Sequence, residues 1–336
     1  MQPSSRVTIR DVAERAGVST ATVSKVLNRR YGVAADTTAR VQAVIEELGY
    51  EASIVARSLR NHRTNVLGIL VADLEPFSTE LLKGAADAIR GTGYELVIYS
   101  AGGQTGEQVG WERRSLTRLS GTLIDGAVLV TPTVVDVVSD APIVAVDPHT
   151  GPSRLPTVDS DNLRGAQLAT EHLLGLGHER IAMIGGRPDL QSAQLRERGF
   201  RDAHDAAGVA VRESLMRVGG YDPEASARVA RELLTRPVPP TAIFAGNDVA
   251  ALATIEVARS LGIDVPGRLS VVGFDDIPEA AAAEPPLTTV KQPIRTMGHE
   301  AVELLLRMIA GEDLAGAHVT LDTQLVVRRS TAPPVS

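Results

Sequence analysis

Two kinds of hydrophobic pattern divide this chain. Near the N-terminus, apolar residues recur at i, i+3, i+4 and i+7, so they share one face of a helix. These residues are Ile9, Val12, Ala13 and Ala16. From about residue 64 onward, short continuous apolar runs alternate with amphipathic stretches, which is typical of βαβ units and a parallel sheet. The pattern therefore predicts a small helical N-terminal domain followed by a larger α/β domain.

The stretch 8–28 predicts two short helices joined by a sharp turn. Thr8 is placed to cap the first helix, with Asp11 three residues further on, as in a capping box. Gly17 can adopt the left-handed conformation that ends this helix, and Ser19 is a good N-cap for the second. The inward-facing residues of the second helix are Val23, Val26 and Leu27. Together these features predict a helix-turn-helix.

The outer face of the second helix is small and polar. It consists of Thr20, Ala21, Thr22, Ser24 and Lys25. A helix-turn-helix places the first residues of its second helix in the major groove of DNA. Lys25 can donate to guanine and Ala21 can contact a thymine methyl, while Thr22, Ser24 and Asn28 are suited to phosphate oxygens. An ordinary surface helical hairpin is the alternative, but turn, caps, apolar spacing and polar face all agree on DNA binding.

These residues closely resemble the DNA-binding module of the lactose and galactose repressor family of bacterial transcription regulators. A third helix, expected over 36–48, would complete a three-helix core. The next segment, EASIVARSLR at 51–60, resembles the family's hinge helix, which orders on the operator and inserts a leucine into the minor groove. The resemblance implies that Leu59 is this wedge and that Ala56 contacts its twin in the other subunit. The predicted DNA-binding residues are Thr8, Ser19, Thr20, Ala21, Thr22, Ser24, Lys25, Asn28, Ala56 and Leu59.

Three positions depart from the family pattern. Lys25 stands where many relatives carry arginine, which predicts a point-charge contact instead of a planar fork. Ala34 replaces the usual capping serine of the third helix, so we expect that helix to begin less firmly. Ala52 and Ser53 replace a Pro-Asn pair, which removes a rigid start from the hinge helix.

Seven apolar runs in the larger domain predict the strands of two sheets. The first sheet is expected to contain 66–72, 95–100, 126–130 and 142–146, and the second 181–185, 242–246 and 270–274. The helices expected between them are 79–90, 165–176, 197–207, 223–234 and 248–261. Two late segments, 287–292 and 321–328, are expected to cross back between the two lobes. This architecture resembles the periplasmic sugar-binding fold that forms the effector domain of the same family.

The fold class expected is therefore an all-α helix-turn-helix head joined to an α/β, two-lobed, periplasmic-binding-protein-like effector domain. The boundaries are 1–50 for the DNA-binding head and 51–63 for the hinge helix and linker. The effector-binding and dimerisation domain would occupy 64–330, and a flexible tail 331–336. No heptad run follows Val327, so we expect no tetramerising coiled coil.

Charge supports this division. The net charge is −7 at pH 7, but residues up to Arg63 carry +4 and the remainder carries −11. A basic head can supply phosphate contacts, while an acidic body resists non-specific adhesion to DNA. Cysteine is absent, which excludes disulfides and thiolate metal sites and fits a cytoplasmic location. The polar N-terminus lacks a signal-peptide core, and no apolar run is long enough to span a membrane.

Polar residues follow the predicted strands, and ligands in open α/β sheets bind at the carboxyl ends of strands. The candidates are Asp73, Asp147, Arg196, Asn247 and Asp275. Carboxylates, an amide and a guanidinium suit neighbouring sugar hydroxyls. For the adjacent Asp248 and Asp276, capping of the following helices is the favoured interpretation.

The family resemblance implies specific effector contacts. Arg196, Asn247 and Asp275 align with effector-contacting positions, and Phe77 and Tyr221 are the candidates for aromatic stacking surfaces. The prediction is a repressor that binds a roughly palindromic operator as a homodimer and closes around a small ligand, with a sugar as the first expectation. A purine-like corepressor is the alternative within the fold.

Two other classes of protein are weaker alternatives. A sugar-modifying enzyme with an appended head lacks a dinucleotide-binding GxGxxG, a P-loop or a nucleophile elbow in this sequence. A transport-associated binding protein would need an export signal and no head. The histidines lack the spacing of a helical zinc pair, so we expect no metal and no cofactor.

Overall fold

The computed structural model describes residues 7–27, 31–50, 63–101, 110–120, 123–134, 139, 141–151 and 154–335. The chain divides into two compact units, Met1–Thr64 and Asn65–Ser336. The predicted hinge helix, with Ala56 and Leu59, and the predicted phosphate contact Asn28 lie outside the described residues. Among the residues described, no helix has both the length and the apolar character needed to cross a lipid bilayer.

The first unit contains three helices in its described part: α1 (Ile9–Ala16), α2 (Thr20–Leu27) and α3 (Ala35–Leu48). Its core is formed by Val12, Ala13, Ala16, Val23, Val26, Val41 and Val44. Gly17 ends α1 in the left-handed conformation, with φ of 64°. The small core and the tight turn confirm the predicted helix-turn-helix fold.

The helix ends of this unit follow the capping predictions. The carboxylate of Asp11 accepts hydrogen bonds from both the amide and the hydroxyl of Thr8, each at 2.7 Å. Ser19 Oγ accepts from the amide of Thr22 at 3.1 Å and so caps α2. No side chain caps α3, as the alanine at position 34 predicted.

The second unit has two lobes, each built on a parallel-rich sheet. In the described residues, sheet 1 has the strand order β11-β5-β4-β3-β1-β2 and sheet 2 the order β12-β10-β9-β8-β6-β7. The strands of sheet 1 are β1 (Val66–Val71), β2 (Glu95–Ser100), β3 (Gly126–Val130), β4 (Ile143–Val146), β5 (Thr157–Ser160) and β11 (His318–Leu321). Those of sheet 2 are β6 (Ile181–Gly185), β7 (Met216–Val218), β8 (Ala242–Ala245), β9 (Ser270–Asp275), β10 (Thr288–Lys291) and β12 (Gln324–Val326).

Helices cover both faces of each sheet. Those of lobe 1 are α4 (Pro76–Ala88), α5 (Trp111–Leu119) and α11 (Ile294–Ile309). Those of lobe 2 are α6 (Asn162–Gly175), α7 (Gln191–Ala207), α8 (Pro223–Leu234), α9 (Asp248–Ser260) and the short α10 (Pro278–Ala282). Apolar clusters lie on each side of both sheets, which buries the continuous hydrophobic runs that predicted the strands.

The described chain crosses between the lobes three times. It passes from β5 to α6, from β10 to α11 and from β11 to β12. The second and third crossings fall in the two late segments where the sequence predicted them. The first, around 160–162, was not predicted.

Sequence analysis missed α11, which contributes a large part of the core of lobe 1. This helix packs against α4 at very short distance through two glycines. A Cβ at Gly84 would lie 1.8 Å from the carbonyl oxygen of Arg295, and one at Gly298 would lie 2.1 Å from that of Leu81. Only a residue without a side chain fits at either position.

The C-terminal segment also differs from expectation. Instead of a flexible tail from residue 331, the chain is docked on lobe 2 as far as Ala332. The backbone amide of Ala332 donates to Ser270 Oγ at 3.0 Å, and its carbonyl oxygen lies 2.9 Å from Nε2 of the buried His178. The buried side chain of His178 therefore anchors the C-terminus.

Candidate functional site

The head presents a compact polar surface on α2. Thr8, Ser19, Thr20, Ala21 and Lys25 are exposed, whereas Thr22 and Ser24 are half-buried. The hydroxyls of Ser19 and Thr22 lie 3.0 Å apart, because both take part in the cap of α2. The exposed side chains at the start of α2, Thr20 and Ala21, take no part in the core of this unit.

A cavity of about 110 Å³ lies between the two lobes of the second unit. Lobe 1 contributes Glu75, Phe77, Thr131, Asp147 and His149. Lobe 2 contributes Leu190, Ser192, Arg196, Tyr221, Asn247 and Asp275, and Gln292 lines it from the second crossing. Strand ends supply several of these residues, as expected for an α/β sheet.

Six of the seven predicted effector residues line this cavity: Phe77, Asp147, Arg196, Tyr221, Asn247 and Asp275. Asp73 does not. It is exposed, and its Oδ1 accepts a hydrogen bond from the amide of Leu74 at 2.7 Å. Glu75, two residues further on, lines the cavity instead. Glu75 is the residue directly before α4, at its N-cap position, whereas Asp73 lies in the loop that precedes it.

The lining residues that sequence analysis missed fall into two groups. Thr131 and Gln292 directly follow β3 and β10, so the strand-end rule could have found them. The others carry no such signal, because the loops and the first turn of α7 bring them to the cavity. These are Glu75, His149, Leu190 and Ser192.

Arg196 is the most constrained side chain of the cavity. It is 4% exposed and lies in the second turn of α7, a helix that begins at Gln191 and not at 197 as the sequence predicted. Its Nε donates to Asn162 Oδ1 at 2.8 Å, and its Nη1 donates to the carbonyl oxygen of Gly246. The guanidinium carbon lies 3.8 Å from the centre of the Phe274 ring, a cation–π distance. These contacts fix the guanidinium before any ligand binds.

Asp275 is the acidic partner of Arg196. Its Oδ1 lies 3.7 Å from Arg196 Nη1 and accepts a hydrogen bond from Gln292 Nε2 at 2.6 Å. Burial raises the pKa of Asp275 to about 7, although Arg196 and the hydrogen bond from Gln292 act in the opposite direction. Near neutral pH this carboxyl group can therefore either accept or donate a hydrogen bond.

Asn247 has both a capping role and a place in the cavity. Its Oδ1 accepts from the amide of Ala250 at 2.9 Å and caps α9. This leaves the amide nitrogen as the part of the side chain suited to a ligand oxygen.

Tyr221 carries an unsatisfied polar atom. Its hydroxyl is buried and, among the described residues, has no hydrogen-bond partner. The ring packs so closely on Gly186 that a Cβ there would lie 2.3 Å from the Tyr221 ring. A buried hydroxyl without a protein partner is rare in native proteins, so this one is available to a polar group that enters the cavity.

Lobe 1 presents acids to the cavity. Burial raises the pKa of Asp147 to about 6, opposed by Arg196 and reinforced by Asp159. Desolvation by the surrounding walls and the charges of Asp73 and Asp147 raise the pKa of Glu75 as well, although solvent still reaches its side chain. Titratable groups perturbed in this way cluster at functional sites.

Backbone strain is concentrated at the same place. Among the described residues, six non-glycine residues have positive φ. Four of them, Thr131, Asp147, Tyr221 and Asp275, line the cavity. Each left-handed conformation costs on the order of 1 kcal/mol, so such a cluster indicates a functional constraint.

The two neighbouring acids have structural roles, but not as simple helix caps. Asp248 accepts hydrogen bonds from the Thr289 hydroxyl and the amide of Ile277, and so ties three segments of lobe 2 together. Asp276 pairs with Arg328 at 2.6 Å. In the described part of the chain, no group of three or more His, Asp or Glu residues is arranged to hold a metal ion.

Comparison with known proteins agrees with both halves of the structure. Residues 8–53 match the family described as bacterial regulatory proteins, lacI family, and residues 170–331 match a periplasmic binding protein-like domain. The repressor PurR of Photobacterium profundum is 34% identical over 96% of this chain and 98% of its own length. The ribose operon repressor of Escherichia coli is also 34% identical, over 97% of this chain and 99% of its own length.

Two solved structures are similar over nearly the whole chain. A complex of the transcriptional regulator CelR with cellobiose has 34% identity and a TM-score of 0.73, covering 97% of this chain and all of that one. The lac repressor dimer bound to its operator and the anti-inducer ONPF has 26% identity and a TM-score of 0.83, covering 98% of this chain and all of the repressor chain.

Proposed function

We propose, from the premise that this chain belongs to the lacI family of bacterial regulatory proteins, that it is a repressor controlled by a sugar bound between its lobes. Membership makes it a DNA-binding transcriptional regulator with an allosteric ligand domain. The identity of the ligand class, the homodimer and the cytoplasmic location are the proposed parts.

The hydroxyl of Tyr221, which has no hydrogen-bond partner among the described residues and lies beside the fixed polar groups of lobe 2, is the observation that carries the ligand proposal. Asp147, Arg196, Asn247 and Asp275 surround the same space and offer donors and acceptors in several directions. A polyhydroxylated ring can satisfy all of them at once, because each hydroxyl both donates and accepts. An enclosed cavity of about 150 Å³ holds one benzene ring, so a cavity of about 110 Å³ admits a sugar ring only when the lobes separate further.

The crossings offer a route from the cavity to the lobe arrangement. Arg196 donates to Asn162 at the first crossing. Gln292, at the second crossing, donates to Asp275 and accepts from Ser160 at the first. A ligand that moves Arg196 or Asp275 therefore acts directly on the segments about which the lobes would rotate. A tenfold change in operator affinity needs about 1.4 kcal/mol of difference between the two arrangements.

A homodimer is supported by the outer edge of sheet 1. Among the described strands, β2 is the terminal strand of that sheet, and its Val97 and Ile98 are 42% and 49% exposed. A terminal strand with exposed apolar side chains is a template for association unless it is covered. The lac repressor, which this chain resembles, was solved as a dimer on its operator. Two heads held together gain effective concentration on a palindromic site. Binding to chromosomal operators would place the protein in the cytoplasm.

A purine-like corepressor is the second candidate. Phe77 of lobe 1 and Tyr221 of lobe 2 both line the cavity, and two aromatic rings on opposite lobes could hold a planar base. We assign the cavity a binding role and no catalysis, in line with relatives that are named as regulators.

The test measures binding of the full chain to its own upstream promoter DNA. Fluorescence anisotropy reports the binding at two salt concentrations, with a panel of sugars and purines added. Release of a salt-sensitive complex by one sugar is the expected result. Lys25→Ala is the matched variant: it should weaken operator binding by about tenfold and leave sugar affinity unchanged. Binding that requires a purine would favour the second candidate, and no sequence preference in any condition would contradict the assignment as a repressor.

A further inference from the structure

The charges that face the cavity do not balance. Three carboxyl groups line it, those of Glu75, Asp147 and Asp275, while Arg196 is the single permanently cationic side chain among the described lining residues. His149 adds no positive charge near neutral pH, because burial and the nearby Arg187 lower its pKa to about 4. Even with Asp275 partly protonated near pH 7, the carboxyl groups of Glu75 and Asp147 outnumber the guanidinium of Arg196, so the cleft is acidic.

The positive charge is also held on one side. Arg196 is fixed on lobe 2 by Asn162, Gly246 and the ring of Phe274, and its nearest carboxylate is that of Asp275 at 3.7 Å. Its charge acts on Asp147 as well, but Glu75 has no cationic neighbour that lowers its pKa. The wall formed by lobe 1 therefore carries unmatched negative charge.

Closure of the lobes increases the free-energy cost of this charge imbalance. Rotation towards lobe 2 removes water from Glu75 and Asp147, and two like charges in a shrinking, desolvated space destabilise the closed form. With a neutral sugar, the repulsion is relieved only if one of the two carboxylates takes up a proton from solvent. A ligand ammonium group relieves it directly, since it neutralises one charge and offers three hydrogen-bond donors. An acidic sugar or a sugar phosphate would add to the repulsion.

We infer that the ligand presents a protonated amine to Glu75 and Asp147, so that the effector is an amino sugar. This inference rests on the proposed sugar-binding function of the cavity. The remaining hydroxyls of the ring would face Arg196, Asn247, Asp275 and the unpartnered hydroxyl of Tyr221 on lobe 2.

The experiment is isothermal titration calorimetry of the full chain at pH 7 with matched sugars. The probes are glucosamine, galactosamine and mannosamine, their neutral parent hexoses, their N-acetyl derivatives, the corresponding hexuronic acids, and the pair cellobiose and deacetylated chitobiose. We expect at least one amine to bind about tenfold or more tightly than both its neutral parent and its N-acetyl derivative. Acetylation is the sharp control, because it retains the nitrogen but removes the charge.

Two variants locate the charge that is recognised. Glu75→Gln keeps the shape of the side chain and should reduce the ratio of amine affinity to neutral-parent affinity, both measured in the variant, by about fivefold or more. Asp73→Asn removes a nearby negative charge outside the cavity lining and should retain most of the preference. Equal effects of the two substitutions would indicate a general field and overturn direct pairing with Glu75.

The failure of this inference is distinguishable from the failure of the proposed function. A neutral hexose or cellobiose that binds as tightly as its amine, and releases operator DNA, overturns the amino sugar and leaves sugar control intact. A hexuronic acid that binds best overturns the inference in the same way. Absence of binding by every carbohydrate overturns both.

Discussion

The two walls of the ligand cavity are built differently. On lobe 2, Arg196, Asn247 and Asp275 are locked by hydrogen bonds to the protein before a ligand arrives. On lobe 1, Glu75 and Asp147 present carboxylates with raised pKa values and little compensating charge. The two lobes therefore have different roles. Lobe 2 is a preorganised recognition surface, and lobe 1 completes the site when the lobes close.

The largest effect is expected from a substitution that disrupts the preorganised surface of lobe 2. Arg196→Ala should abolish measurable ligand response, with affinity reduced by about a hundredfold or more, and should lower the free energy of unfolding by about 3 kcal/mol, because Asp275 is left buried without its partner. Calorimetry and urea denaturation measure the two quantities. Arg187→Ala, which removes an exposed pair with Asp189, is the control and should change stability by less than about 0.5 kcal/mol. Ligand affinity unchanged in Arg196→Ala would contradict the recognition role of lobe 2.

A smaller effect is expected from the unsatisfied hydroxyl of that wall. Tyr221→Phe should reduce ligand affinity by about tenfold, since the hydroxyl gains its hydrogen bond only from the ligand. The ligand-free protein should be equally stable or more stable by up to about 1 kcal/mol, because a buried polar atom without a partner is removed. Loss of stability in the free protein would show that the hydroxyl already has a structural partner.

The connection between the walls can be weakened separately. Gln292→Leu keeps a side chain of similar size but removes the bonds to Asp275 and Ser160. We expect the ratio of operator affinities with and without ligand to fall by about fivefold, more than ligand affinity itself falls. Anisotropy titrations of operator DNA at zero and saturating ligand give this ratio. A parallel loss of both would assign Gln292 to ligand contact alone.

The acidic partner of Arg196 on lobe 2 gives the stability of the protein a pH dependence. The pKa of Asp275 is raised to about 7 in the folded protein, from an ordinary value of 3.8, so the folded state binds more protons than the unfolded chain between these values. The free energy of unfolding from this group is therefore highest at the acid end of the window and falls as pH rises towards 7.

Asp275→Asn should remove this slope. Relative to the unmodified protein, the variant should gain on the order of 1 to 2 kcal/mol between pH 5 and pH 8, as read from urea denaturation at each pH. Asp276→Asn provides a matched control outside the cavity, because that carboxylate already has Arg328 beside it. A constant difference across the pH range would show that Asp275 is ionised throughout.

Sequence patterns predicted the local parts of this molecule well. The spacing of Val12, Ala13 and Ala16, with Gly17 after them, sufficed for the head, because a helix and its cap depend on residues a few positions apart. The continuous apolar runs were enough to predict the central strands β1, β3, β8 and β9. This is because strands covered on both faces are apolar throughout. The rule that ligands bind at the ends of strands also identified Asp147, Asn247 and Asp275, which line one cavity in the structure.

The sequence by itself therefore determined the two-unit organisation, the class of fold and the family. Only the tertiary structure decided that Glu75 and not Asp73 lines the cavity, and that Gln292 contacts Ser160, which lies 132 positions away in the chain. It also decided that α11 returns to lobe 1 and packs on Gly84. The physical reason is the distance along the chain between interacting residues. Hydrophobic periodicity reports burial within one helix or strand. The balance of charge across the cavity depends instead on elements that are far apart in sequence and that three crossings bring together.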